Sequence, residues 1–221
     1  MISKPSRSIS REKYDAIVFD FDGTLVDSNE IKSRAFGELY KSYSEEIVRK
    51  VVDYHNQHEG ISRFIKFKYW QENLLGQTYT EELGEQLSLS YSGLVVDAIV
   101  QASFFDGVYE FLENNYHSSP LFVASGTPEP ELREIVKRRK MDRFFQGVYG
   151  SPSTKKQILE HILKQNNLSP ERLLMVGDAL SDWEGAKQTK VCFVGIMRGR
   201  NLAGLASEQI IKNIHELYKL I

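Results

Sequence analysis

Two aspartates, Asp20 and Asp22, lie two positions apart where a short apolar segment ends. The four residues 16–19 are apolar, are followed by charge and glycine, and predict a short buried strand. A carboxylate beside a buried strand is costly unless a metal ion or hydrogen-bond donors pair with it. The pair of aspartates therefore indicates a site of chemistry at the end of this strand.

Further residues that could take part in a reaction follow later apolar segments or begin a predicted helix. They are Ser125, Gly126, Thr127, Lys155, Lys156, Asp178 and Asp182. In a parallel sheet, the carboxyl ends of the strands can converge on one crevice. This crevice would then hold several carboxylates, a hydroxyl group and an ammonium group.

This set of residue types suits phosphoryl transfer through a covalent intermediate on an aspartate. A carboxylate that attacks phosphorus divides hydrolysis into two easier steps. Because two anions must approach each other, the reaction needs a hard cation, and Mg²⁺ prefers carboxylate oxygens. A lysine, hydroxyl groups and backbone amides would stabilise the phosphoryl oxygens, and the second aspartate would exchange protons with the leaving group and with water.

The elements that must position these residues fall into two kinds. Residues 31–101 show helical patterns with almost no β-rich segment, whereas strand and helix patterns alternate from about residue 102. The alternation predicts an α/β fold: a Rossmann-like, three-layer α/β/α core with a parallel sheet. We expect residues 13–30 and 102–221 to form this core and residues 31–101 to form an inserted α-helical cap.

Composition narrows the class of protein. The chain has 221 residues, with 28 basic against 30 acidic side chains, so no basic excess points to nucleic acid or an anionic membrane. A single cysteine, Cys192, suits a reducing compartment. The N-terminal residues lack the apolar segment of a secretory signal, and no apolar segment approaches membrane-spanning length. We expect a cytoplasmic protein, monomeric by default, that acts on a small molecule.

Four sequence segments together resemble a known family. The segments DFDGTLVDS, VASGT, a lysine at 155 or 156, and GDALSD are similar to the four motifs of the haloacid dehalogenase-like superfamily, in the same order. The position of the helical segment resembles that of the cap in its phosphoglycolate phosphatase and β-phosphoglucomutase branch. The motif D-x-D-G-T is specific for this superfamily, whereas the serine motif and the lysine support the resemblance only because they occur in the expected order.

The resemblance implies a role for each matching residue. Asp20 would be the nucleophile and Asp22 the general acid and base, while Asp20, Asp178 and the backbone carbonyl of Asp22 would hold Mg²⁺. Asp182 would be a metal ligand or a partner of the site. The phosphoryl group would be bound by Ser125, Gly126 and Thr127, and the charge-stabilising lysine would be Lys155, with Lys156 as an alternative.

One cap segment bears on the substrate. Residues 60–63, Gly-Ile-Ser-Arg, resemble the loop by which the cap of β-phosphoglucomutase contacts the distal phosphate of its substrate. We expect Arg63, with His58 and Lys66, to contact an anionic or hydroxyl-rich leaving group. Glu59 replaces the lysine that precedes this loop in the mutase, which favours simple hydrolysis.

The sequence thus predicts a Mg²⁺-dependent phosphatase that acts on a small phosphorylated metabolite, a sugar or sugar-acid phosphate. A β-phosphoglucomutase-like phosphomutase is one alternative. A phosphonatase is another, since a cap lysine, Lys32, Lys41 or Lys50, could supply the amine that forms its imine, although nothing in the sequence marks one of them. A phosphoacceptor receiver domain is disfavoured, because such a domain needs about half this length.

Overall fold

The strands are short buried segments that lie side by side in one parallel sheet. In the computed structural model, which describes residues 13–197, 202 and 210–221, this sheet has six strands in the order β3-β2-β1-β4-β5-β6. The strands are Ala16–Phe19 (β1), Leu121–Pro128 (β2), Gly147–Ser151 (β3), Leu173–Gly177 (β4), Cys192–Ile196 (β5) and Ile210–Ile211 (β6). All neighbouring pairs are parallel.

Helices fill the long connection between β1 and β2. They are Asn29–Leu39 (α1), Glu45–Gln57 (α2), Arg63–Tyr69 (α3), a π-helical segment Trp70–Leu74, and Glu81–Gln101 (α4). Ser44 and Thr80 cap α2 and α4, because their hydroxyl groups accept hydrogen bonds from Ile47 N and Leu83 N. Aromatic side chains hold these helices together, with the ring of Phe36 stacked on Tyr91 at a centroid distance of 4.0 Å.

The remaining helices connect successive strands of the sheet. They are Val108–Asn115 (α5), Glu129–Arg138 (α6), Lys155–Gln165 (α7) and Leu180–Thr189 (α8). Within the described parts of the chain, none of the helices has both the length and the apolar composition to cross a membrane.

The sheet separates two apolar clusters, as the alternation of side chains along a strand requires. On β1, Ile17 and Phe19 belong to the larger cluster, which continues into the inserted helices. Ala16 and Val18 belong to the second cluster, which includes Ile158 of α7. The three-layer α/β/α fold predicted from the sequence is therefore confirmed.

The strand order places a crevice at the centre of the sheet. The chain runs outward from β1 through β2 to β3 on one side and from β4 to β6 on the other, so the order reverses between β1 and β4. Ligands of such sheets bind beyond the carboxyl ends of the strands at this reversal. Asp20 directly follows β1 and Asp178 directly follows β4.

The residue limits of the core and of the cap stay a prediction. The inserted helices run from Asn29 to Gln101, close to the predicted residues 31–101. Part of the predicted core, residues 198–201 and 203–209, lies outside the described residues.

Candidate active site

Asp20 lies at the centre of the crevice and is paired with a buried lysine. Its carboxyl group accepts a hydrogen bond of 2.5 Å from Lys155 Nζ, which also donates to the carbonyl oxygen of Ala124 at 2.6 Å. Lys155 Nζ lies 2.6 Å from a carboxylate oxygen of Asp182 as well. Burial opposes the Lys155 charge, but attraction by Asp182 and Asp20 outweighs it and raises the pKa of Lys155. The lysine therefore stays an ammonium group.

Lys156, the alternative lysine, lies away from the crevice. Its side chain is 47% exposed and faces Glu160 one turn along α7. The phase of the helix explains the difference: Lys155 precedes the buried residues Ile158 and Leu159 by three and four positions, so it shares their face.

Asp22 is surrounded by hydrogen-bond donors. It forms an ion pair with Lys32 of α1. It also accepts hydrogen bonds from the hydroxyl groups of Ser28 at 2.7 Å, Thr127 at 3.2 Å and Ser125 at 3.3 Å. Burial works against ionisation, but Lys32 and the hydroxyl groups outweigh it and hold the pKa of Asp22 below its usual range. Asp22 is thus a carboxylate aimed at the same crevice as Asp20.

Asp20, Asp178 and Asp182 form a buried cluster that fits a divalent cation. Each offers a carboxylate oxygen, and these oxygens lie within 4.8 Å of one another. Burial raises the pKa of Asp20 well above its usual range, although Lys155 lowers it. Burial, and to a smaller extent repulsion from Asp182, raises the pKa of Asp178 to about 7. A nucleophilic carboxylate must be ionised, so this site needs positive charge beyond Lys155. The all-oxygen donor set is the kind that Mg²⁺ prefers.

The glycine of D-x-D-G-T keeps space for this cluster. Gly23 has φ +78°, in the left-handed region that glycine adopts without strain. A Cβ atom here would lie 2.1 Å from a carboxylate oxygen of Asp178. Next to it, Thr24 and Asn29 each donate a hydrogen bond of 3.1 Å to the Asp178 carboxylate, which fixes its orientation.

The segment 125–127 lines the crevice from β2. Ser125 and Thr127 are buried, and the Ser125 hydroxyl accepts a hydrogen bond of 3.1 Å from Thr127 N. Gly126 approaches the inserted helical segment so closely that a Cβ atom would lie 2.5 Å from the carbonyl oxygen of Gly60. These residues thus lie at the junction between the sheet and the helices that cover it.

Arg63 lines the crevice from α3, and its charge is already neutralised. Its guanidinium group forms a two-pronged ion pair with Glu131 of α6, with one N–H···O distance of 2.9 Å. It also donates to Ser92 at 2.9 Å and lies 4.6 Å from the ring centroid of Tyr91. The predicted contact between Arg63 and the leaving group stays a prediction.

Lys66 lines the crevice beside Arg63, whereas His58 does not. His58 ends α2, where its ring stacks on Tyr54 at 4.0 Å and its Nδ1 atom lies 2.8 Å from the Tyr54 carbonyl oxygen. The partner of Lys66 is His55, one turn earlier on α2. His58 follows the last residue of α2 and is not grouped with Arg63 and Lys66 at the crevice, so its contact with the leaving group stays a prediction without support from this geometry.

The structure brings most of the predicted residues together and adds some that the motifs did not indicate. The predicted motif and cap residues that line the crevice are Asp20, Asp22, Arg63, Ser125, Gly126, Thr127 and Asp178. Lys155 forms ion pairs with both Asp20 and Asp182 beside them. Sequence reasoning missed the ion pair of Lys32 with Asp22. Ser28 and Lys32 are four residues apart, so they share one helix face, and this spacing could have indicated it.

Comparisons with known proteins show the family of the chain. The sequence profile described as haloacid dehalogenase-like hydrolase matches residues 17–196. The chain is 28% identical over 200 residues to a 5'-nucleotidase of Pseudomonas aeruginosa, covering 85% of this chain and 84% of that protein. It is 26% identical over 206 residues to a phosphoglycolate phosphatase of Synechococcus elongatus, covering 84% and 85%.

A solved structure shares the fold. It is a HAD-hydrolase of Bacillus subtilis bound to magnesium, with a TM-score of 0.70 and 15% sequence identity, and the match covers 95% of this chain and 99% of that one.

Proposed function

The chain belongs to the haloacid dehalogenase-like hydrolase family and is a phosphoric monoester hydrolase, and we propose that it is a Mg²⁺-dependent phosphatase. In this proposal the substrate is a small phosphorylated metabolite, a sugar or sugar-acid phosphate. The reaction would pass through an aspartyl-phosphate on Asp20. The observation that carries this proposal is the pairing of a buried Asp20 with the Lys155 ammonium group at 2.5 Å. Asp22, surrounded by hydrogen-bond donors, faces the same crevice.

In the first step, a carboxylate oxygen of Asp20 attacks phosphorus and the bond from phosphorus to the ester oxygen breaks. Asp22 is ionised before substrate enters, so it would first take up a proton from solvent and then give this proton to the departing oxygen. Lys155 lies behind the nucleophile and would balance the negative charge that Asp20 and the phosphoryl oxygens bring together. The hydroxyl hydrogens of Ser125 and Thr127, which point to Asp22 in the structure, would turn to the phosphoryl oxygens when substrate binds.

In the second step, Asp22 would take a proton from water, and the resulting hydroxide would attack phosphorus of the aspartyl-phosphate. The bond between phosphorus and Asp20 breaks, which releases inorganic phosphate and restores the carboxylate. The Lys32 ion pair favours the ionised form of Asp22, which is the form that acts as a base here.

Mg²⁺ would be held by Asp20 and Asp178, by the backbone carbonyl of Asp22 and, directly or through a water molecule, by Asp182. When bound, it supplies the positive charge that lets the phosphate ester approach a carboxylate. The cluster of three buried carboxylates near one ammonium group supports this assignment. The magnesium bound by the related fold of B. subtilis is in keeping with it.

The proposal includes a cytoplasmic monomer that binds neither nucleic acid nor membrane. The near balance of 28 basic and 30 acidic residues supports the absence of a polyanionic partner.

The test is phosphate release from a panel of sugar phosphates, sugar-acid phosphates, phosphoglycolate and nucleotides. It compares wild type with Asp20→Asn and with Asp27→Asn, an exposed aspartate seven residues further along. We expect release by wild type and Asp27→Asn, loss in Asp20→Asn, and loss on adding EDTA that Mg²⁺ restores. Release that persists in Asp20→Asn would overturn the mechanism, and no release from any ester by wild type would overturn the function.

A further inference from the structure

A second cavity lies beside the crevice, and the mechanism does not use it. Its volume is about 270 Å³, whereas the space in the crevice itself is about 40 Å³. One wall of the cavity consists of residues 60–62 before α3 and of Ile65 on α3. The other wall includes residues 152–154 before α7 and Ser181 and Gln188 on α8. The cavity therefore lies between the inserted helices and the core.

The cavity and the crevice approach the reacting groups from two sides. Lys155 lines the cavity, and its Nζ atom donates a hydrogen bond of 2.5 Å to the Asp20 carboxylate. Ser125 lines both spaces, and its hydroxyl group lies 3.3 Å from a carboxylate oxygen of Asp22. A phosphate ion formed at Asp20 therefore lies next to the wall that the two spaces share.

The shared wall is thin where two glycines meet. Gly60 and Gly126 line both the crevice and the cavity. They approach so closely that a Cβ atom on Gly126 would lie 2.5 Å from the Gly60 carbonyl oxygen. Because neither residue has a side chain, a small displacement of the backbone here would join the crevice to the cavity.

A displacement of this wall is easier than opening of the inserted helices. The loop before α3 is held to α8 by a hydrogen bond of 3.3 Å from Ser181 Oγ to the carbonyl oxygen of Glu59. A hydrogen bond between neutral groups at this distance is weak. Opening of the helices would instead separate the buried ion pair of Arg63 with Glu131.

We infer that inorganic phosphate leaves the crevice through this cavity, between Gly60 and Gly126, while the inserted helices stay closed, an inference that rests on the proposed phosphatase function. The crevice has room for about three water molecules and the cavity for roughly twenty. The cavity can therefore hold a hydrated phosphate ion, whereas the crevice cannot.

The test narrows the cavity from two sides. Ser153→Trp and Gln188→Trp, the two cavity variants, each replace an exposed side chain that lines the cavity. Gln165→Trp is the matched control, since Gln165 is an exposed glutamine at the end of α7 that does not line the cavity. Each protein is mixed with p-nitrophenyl phosphate and Mg²⁺ in a stopped-flow instrument. Absorbance reports p-nitrophenolate, and a fluorescent phosphate-binding reporter detects free phosphate.

We expect both cavity variants to release phosphate at least about tenfold more slowly than wild type, because release of this product becomes the slowest step once its route is narrowed. The rate of p-nitrophenolate formation in the first turnover and kcat/KM should stay unchanged, so kcat and KM should fall together. Gln165→Trp should match wild type. Phosphate release from both cavity variants as fast as from wild type, or a fall in kcat/KM equal to the fall in kcat, would overturn the inference.

Dissociation of inorganic phosphate separates this inference from the proposed function, because it needs no ester. The four proteins are loaded with inorganic phosphate and Mg²⁺ and mixed with the same reporter. Slower dissociation from both cavity variants, with no hydrolysis of any ester by wild type, would support the route and overturn the phosphatase. Equal dissociation from all four proteins, with hydrolysis by wild type, would overturn the route and leave the phosphatase.

Discussion

The Arg63–Glu131 ion pair gives a prediction about closure of the helices over the crevice. Arg63 is on α3, in the segment inserted between β1 and β2, whereas Glu131 is on α6, between β2 and β3. The two side chains are only 4% and 10% exposed. Removing one partner of a buried pair typically costs about 3–5 kcal/mol, because the other charge is left uncompensated.

Most of this cost should fall on the closed form, because opening of the helices would return the remaining charge to water. A loss of about 3 kcal/mol corresponds to a shift of roughly 100-fold in the closing equilibrium. We expect Arg63→Met and Glu131→Leu each to lower kcat/KM by about 10–100-fold. The kcat/KM of the double variant should be no lower than that of the less active single variant, which corresponds to a coupling energy of about 2 kcal/mol between the two residues.

The assay is a double-mutant cycle on kcat/KM, measured with p-nitrophenyl phosphate and with the best natural ester. The exposed pair Arg143–Glu113 is the control, since its side chains are 48% and 40% exposed and its cycle should leave kcat/KM unchanged. Single-variant losses of free energy that add to within about 0.5 kcal/mol in the double variant would refute the role of the Arg63–Glu131 ion pair in closure. A loss confined to the natural ester would instead support direct contact between Arg63 and the leaving group.

Three further predictions concern the crevice. Lys155→Met should lower kcat by about 100–1,000-fold, because the nucleophile loses its counter-charge, whereas Lys156→Met should leave kcat unchanged in the same assay. Gly126→Ala should raise KM by at least about tenfold, because the new Cβ atom would lie 2.5 Å from the Gly60 carbonyl oxygen and block closure of the helices. An unchanged KM would show that Gly126 and Gly60 are not in contact during turnover. The KM for an ester with an anionic leaving group should rise with pH through about 7, where Lys66 loses its proton. A KM profile that is flat across this range, or identical in Lys66→Met, would contradict the expected contact of Lys66 with the leaving group.

The positions of the candidate catalytic residues were predictable because each depends on a short stretch of chain. Asp20 and Asp178 follow apolar strands directly, so their position at the edge of the sheet comes from the strands themselves. The fold was predictable for the same reason, since alternation of apolar and amphipathic segments fixes the layers. Lys155 could be preferred over Lys156 because it shares a helix face with Ile158.

The contacts of the inserted helices could not be derived in the same way. Glu131 is separated from Arg63 by 68 residues, and its contact depends on how α6 lies against α3. Lys66 meets His55 because of the angle between two helices, and the pattern of one helix carries no information about that angle. His58 packs on Tyr54 of its own helix, a contact that the sequence pattern did not indicate.

The most direct test of the account is detection of the covalent intermediate. Wild type and Asp20→Asn are mixed with Mg²⁺ and the best ester, quenched in acid within the first turnover, digested and analysed by mass spectrometry. The account predicts a phosphoryl group on the wild-type peptide that carries Asp20, and none on the variant. A phosphoryl group on another residue, or rapid hydrolysis with no phosphorylated peptide in the first turnover, would contradict Asp20 as the nucleophile.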